Sequence, residues 1–204
     1  MVSFGMGVSL SIRLGHTLPQ NVSRAKTLVW GTLIVSCSFF ALASWTLYIY
    51  RASVYRIFTT DPIVVAGCDE IWVKVCLYFF LVSTFALMTG IANGLGMQWR
   101  LGVITLVFLW ALGVPVLWYF GLHTYESIDV VWGCIDPPYI LIDLVLLFSF
   151  LSAEWDEISL AIRKREGIEP MEVNHVGPYG MTYGSVEEER PRFVDAAREH
   201  VISP

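Results

Sequence analysis

Charge is what this sequence has least of. Asp, Glu, Lys and Arg together make up 15% of its 204 residues, against about 25% in an average soluble domain. That is too little to keep a chain of 55% hydrophobic residues dispersed in water. Positive charge is the scarcer sign, with 13 Lys and Arg against 18 Asp and Glu and a formal net charge of −5. Nucleic acid is therefore set aside as a partner, because binding its phosphates needs clustered cations. None of His16, His123, His175 and His200 falls within the core of a long apolar run, which excludes a haem gripped between histidines inside a membrane bundle. The four cysteines contain no Cys-x-x-Cys pair, as a disulfide-exchange centre would require. Zinc and nucleotide motifs are missing, and His123 near Asp129 is a weak basis for a nucleophilic triad. No cofactor and no metal are expected, and a non-enzyme is favoured.

What the chain has is length of apolar sequence. Four stretches, roughly 27–50, 71–92, 101–121 and 130–153, are mostly hydrophobic. About 20 such residues in a helix cross a hydrocarbon core of about 30 Å. The expected fold is an all-α, polytopic membrane protein: a bundle of four transmembrane helices whose fourth helix continues past the membrane. Its divisions are an N-terminal arm (1–26), the membrane domain with that extension (27–166) and a tail (167–204). Asp136-Pro137-Pro138 reads as the start of the fourth helix, an acidic cap before residues that need no donor in the first turn. Residues 153–165 continue it without Gly or Pro, acids first and bases last, to a C-cap at Gly167. Pro115 predicts a bend in the third span. Most Trp and Tyr residues lie near span ends, at headgroup depth. Trp110 is mid-span, and its indole NH predicts a position facing other helices.

Lys and Arg near a span tend to stay cytoplasmic. Arg13, Arg24, Lys26, Arg100, Arg163, Lys164 and Arg165 collect on one side. The other side holds Arg51, Arg56 and Lys74 with Asp61, Asp69, Glu70, Glu126, Asp129 and Asp136. Both termini are expected in the cytoplasm, in a plasma or secretory-pathway membrane rather than a mitochondrial one. The first span then serves as an uncleaved signal anchor, and the Asn21-Val22-Ser23 sequon never meets a glycosyltransferase. Cys68 and Cys134 fall in the same oxidising compartment, where a disulfide between them is a candidate; the alternative is four free thiols.

Asp143 is the acid set deepest in a span. A charge there costs about 2.5–3.5 kcal/mol on insertion scales, so it asks for a partner or a function. A Lys74–Asp143 ion pair between spans two and four is one answer. A neutral carboxyl bonded to Ser or Thr, or an acid on a wet path with Asp136, are the others. Ala86, Gly90 and Gly94 form a small-residue face on span two where a second helix can approach closely. Residues 2–14 alternate apolar with Gly, Ser and Arg at period two, a strand signature, competing with a disordered or surface-bound arm. The tail lacks the apolar surface to order itself, and Val173-Asn174-His175 with 179–183 reads as a recognition segment.

The layout is similar to that of tetraspan proteins of the MARVEL and claudin types, in span number and termini alone. The Trp, Gly-Leu-Trp and paired-Cys pattern of claudin outer loops is missing. The expected function is a non-catalytic integral membrane protein that assembles with others, as a small complex subunit or a tetraspan organiser. Its expected partners are membrane lipids and other membrane proteins or copies of itself. The alternatives are a cation channel or transporter protomer using Asp143, and an intramembrane enzyme acting on a lipid or terpenoid.

Overall fold

The computed structural model describes residues 1–125 and 127–166, and their regular secondary structure is entirely helical. Four helices are long and apolar enough to cross a membrane: α2 (Val22–Ile49), α4 (Pro62–Gly94), α5 (Gln98–Thr124) and α6 (Ile128–Leu151). Three shorter helices accompany them: α1 (Val2–Thr17), α3 (Arg51–Phe58) and α7 (Trp155–Glu166). Local chemistry sets several boundaries. Asn21 caps α2 by accepting the Arg24 N–H at 3.0 Å, and Asp61 caps α4 by accepting that of Ile63 at 2.9 Å, with Pro62 opening the helix. The turn from α4 to α5 passes through Gly96 at φ +71°, a left-handed conformation that favours glycine.

The expected strand at the N-terminus is a helix. Residues 1–26 do not form a separate arm, because α1 lies along α4. A Cβ built on Gly7 would stand 2.6 Å from the Ala86 carbonyl oxygen, one on Gly90 would collide with the backbone of Gly7, and one on Gly94 would touch Leu14 at 3.0 Å. The small-residue face of span two thus receives α1. The core follows from that contact: Leu10 and Leu14 of α1, Val29 of α2, Leu87 and Ile91 of α4 and Ile142 of α6 are all buried together.

Three other expectations change. Helix α6 starts at Ile128, so Asp136, Pro137 and Pro138 lie inside it; the helix tolerates the two missing N–H donors and leaves the carbonyls of Gly133 and Cys134 without their usual partners. The continuation of the fourth span is present, but as the separate helix α7 after a break at 152–154. Trp155 turns inward at the break, 4% exposed, its Nε1 donating to the Phe150 carbonyl at 3.2 Å. Ser159 then donates to the Leu18 carbonyl at 2.9 Å and Arg163 to that of Pro19, so α7 folds back onto the α1–α2 turn instead of projecting. In α5, Pro115 sits in a short α-helical turn between wider π-helical stretches at Leu106–Gly113 and Leu117–Thr124. Trp110 is 63% exposed and does not face the bundle, because only 6% of this span is buried. Gly167 and the proposed recognition segment lie outside the described residues.

Candidate functional site

Asp129, Asp136 and Asp143 recur every seven residues on α6, and seven residues are close to two helical turns, so the three acids form one stripe with about 10 Å between steps. The stripe begins at the N-terminal end of α6 and descends toward the middle of the span. Asp129 is half-buried, Asp136 and Asp143 are 5% and 8% exposed, and each of the deeper two has a carboxylate oxygen without a hydrogen-bond partner. Buried polar atoms are almost always paired in folded proteins, so two such oxygens on one helix face call for an explanation.

On the side of Asp143 facing α2 stands Cys37, with Thr84 of α4 beside it. The Thr84 hydroxyl is engaged with the Phe80 carbonyl at 3.0 Å, while Ser36 Oγ is fully buried and unpartnered. Buried polar atoms without partners are thus present in an otherwise apolar bundle.

The ion pair expected for Asp143 is not formed. Lys74 instead donates to the Asp129 carboxylate and, at 2.8 Å, to the Asp129 backbone carbonyl. The long stem lets the ammonium reach up toward the helix end, where desolvation is cheaper. Cys68 and Cys134 are both free thiols. Tyr78 packs against both Trp132 and Tyr139, at 5.6 and 5.4 Å between ring centroids, which sets Cys134 level with Tyr78. Cys68 lies ten residues earlier on α4, about 15 Å along the axis, beyond the reach of a disulfide.

Asp69 has structural work. Asp69 accepts from the Tyr55 hydroxyl at 3.2 Å and pairs with Arg51 at 3.2 Å, fixing α3 against α4. Burial, followed by the Asp69 carboxylate, pushes the Tyr55 hydroxyl up to about 12. Helix α3 was not foreseen; the Arg51 to Tyr55 spacing of four was its only signal. Between α2 and α4 lies an open surface groove of about 540 Å³ lined by Trp45, Tyr48, Cys76 and Phe80. It is apolar and aromatic, and large enough for part of a small organic solute. Among the described residues no group of three His, Cys, Asp or Glu is arranged to hold a metal ion.

No protein-family profile matches the chain. Curated relatives do. The chain is 22% identical over 154 residues to Protein DETOXIFICATION 41 of Arabidopsis thaliana, covering 74% of this chain and 30% of that protein. It is 26% identical over 171 residues to the probable multidrug resistance protein NorM of Thermotoga maritima, covering 81% and 36%. It is 30% identical over 115 residues to Protein DETOXIFICATION 7 of Arabidopsis thaliana, covering 56% and 23%. The chain spans about a third of the length of the first of these relatives. Together with the four apolar helices, they make it an integral, multi-pass membrane protein. They also overturn the expectation of a non-catalytic subunit or organiser, because its relatives are named for drug resistance and detoxification. The absence of reaction motifs gave that expectation no support, since a membrane protein that breaks no bond leaves no catalytic spacing in its sequence.

Proposed function

We propose that the chain is a protomer, or a segment, of a membrane transporter that moves lipophilic organic cations in exchange for a small cation held at Asp143. The observation that carries this reading is the Asp143 carboxylate, buried at the heart of the bundle with an unpartnered oxygen. A purely structural acid at that depth would be neutralised by a fixed partner. An acid that must release its ligand in every cycle needs a site that can stand empty. The open aromatic groove between α2 and α4 suits contact with the organic solute, since aromatic faces attract cations as well as apolar groups. In this reading the basic end, with Arg24, Lys26 and Arg100, faces the cytoplasm together with both termini. The acidic end then opens outward from a plasma or secretory-pathway membrane and draws cations to its mouth.

The test is transport by the full chain in lipid vesicles, followed with a fluorescent lipophilic organic cation. Asp143→Asn keeps the shape of the side chain and removes its charge. Its expected effect is a fall in transport rate of about tenfold or more, with unchanged helix content and a single species in detergent. Transport at the parent rate in Asp143→Asn would refute the assignment.

A further inference from the structure

Lys74 stands between two acids and uses only one of them. Its ammonium bonds Asp129 through both carboxylate and backbone carbonyl. A Cβ built on Gly133 would lie 3.6 Å from Nζ, so the charge sits over Gly133, one turn past Asp129 and one turn short of Asp136. Below it come the unpartnered carboxylate of Asp136 and, two turns deeper, that of Asp143. On the intervening turn Tyr139 packs edge-on against Tyr78, with ring centroids 5.4 Å apart. The titratable groups facing this stripe are Lys74 and Tyr78 from α4 and Cys37 from α2. Helix α5 meets α6 through Gly113 against Pro138 and Gly121 against Val131, contacts without charge.

We propose that Asp136 is a second proton-accepting site on a path that runs down α6 from the acidic end to Asp143, and that Lys74 closes the mouth of this path. The inference rests on the transport reading for its purpose and adds the identity of the small cation. Carboxylates about 10 Å apart cannot hold one metal ion between them; a proton needs one oxygen at a time and can occupy each in turn. At each carboxylate an arriving proton forms one O–H bond, and its departure breaks that bond. Water carries it across the gaps, and its charge is balanced by the organic cation moving the other way. While Lys74 is held at Asp129, its fixed positive charge repels an incoming proton from the only acids below it on this face.

The experiment needs no organic solute. The full chain is reconstituted in vesicles loaded with a pH-sensitive dye, with potassium and valinomycin to carry the compensating charge, and internal acidification is followed after an external acid pulse. Lys74→Gln is expected to acidify the interior on the order of tenfold faster than the parent, since it removes a whole charge from a low-dielectric mouth. Lys74→Arg keeps the charge and stays at the parent rate. Lys74→Gln with Asp136→Asn returns to the parent rate. Parent-like acidification in Lys74→Gln would overturn the proposal. A double variant as leaky as Lys74→Gln would also overturn it, because a bundle that is merely loosened leaks without Asp136. If the pattern holds while no organic cation is moved, the transport reading fails and the proton path stands.

Discussion

At the scale of single residues, the chain separates acids that hold the structure from acids that are left free. Asp61 caps a helix, Asp69 ties Arg51 and Tyr55 together and Asp129 holds Lys74. Asp136 and Asp143 do none of this. The Tyr55–Asp69 bond has a pH signature. The tyrosine hydroxyl ionises near 10 when unfolded and at about 12 in the folded chain, so above pH 10 the unfolded state binds fewer protons and folding loses stability as pH rises. The stabilisation is complete below pH 10 and is lost on passing through 12. Thermal unfolding in detergent should therefore show the parent ahead of Tyr55→Phe by about 1 kcal/mol near neutrality, with the gap closing between pH 10 and 12. A gap that stays constant over that range would show that the hydroxyl is not held by Asp69. Asp143 was legible in the sequence because a lone acid in a run of apolar residues is conspicuous. Its supposed partner was not, since counting residues from span ends cannot reveal that Lys74 reaches back toward the helix end.

At the scale of elements, the contact that organises the bundle is made by glycines. Gly7 and Gly90 bring α1 and α4 together at a distance no side chain permits. Gly90→Ala should cost about 1–3 kcal/mol despite alanine's better helix propensity, because overpacking forces the backbones apart. Gly67→Ala, with nothing within 4 Å of the added methyl, should be neutral or slightly stabilising. Denaturant unfolding of the two variants in detergent measures the difference, and equal behaviour would contradict the packing. Helix α1 was hidden by its own composition. Its apolar residues alternate, as in a strand, yet only Leu10 and Leu14 are buried with Gly7, at helical spacing, while Phe4, Val8 and Ile12 line an exposed face four residues apart. A helix apolar on both sides matches both periods at once, and only packing decides between them. The break before α7 was equally hidden, since Ser152, Ala153 and Glu154 contain no Gly or Pro; the burial of Trp155 turns the chain there.

At the scale of the whole molecule, four long apolar helices could be read from length and hydropathy alone, because the bilayer imposes the same minimum on every span. Function could not. In the transport reading proposed above, the working parts are buried charges and an apolar groove, and neither has a residue spacing to recognise. What joins them here is geometry: a stripe of three acids on α6, its upper acid locked by Lys74, beside a bundle with an aromatic cleft. The most direct measurement is uptake of a fluorescent lipophilic organic cation into vesicles whose only protein is the full chain, with and without an imposed proton gradient. The account predicts accumulation against the dye's own gradient when the proton gradient is present, and none when it is collapsed. Uptake that is equal in both conditions, or equal to that of protein-free vesicles, would contradict it.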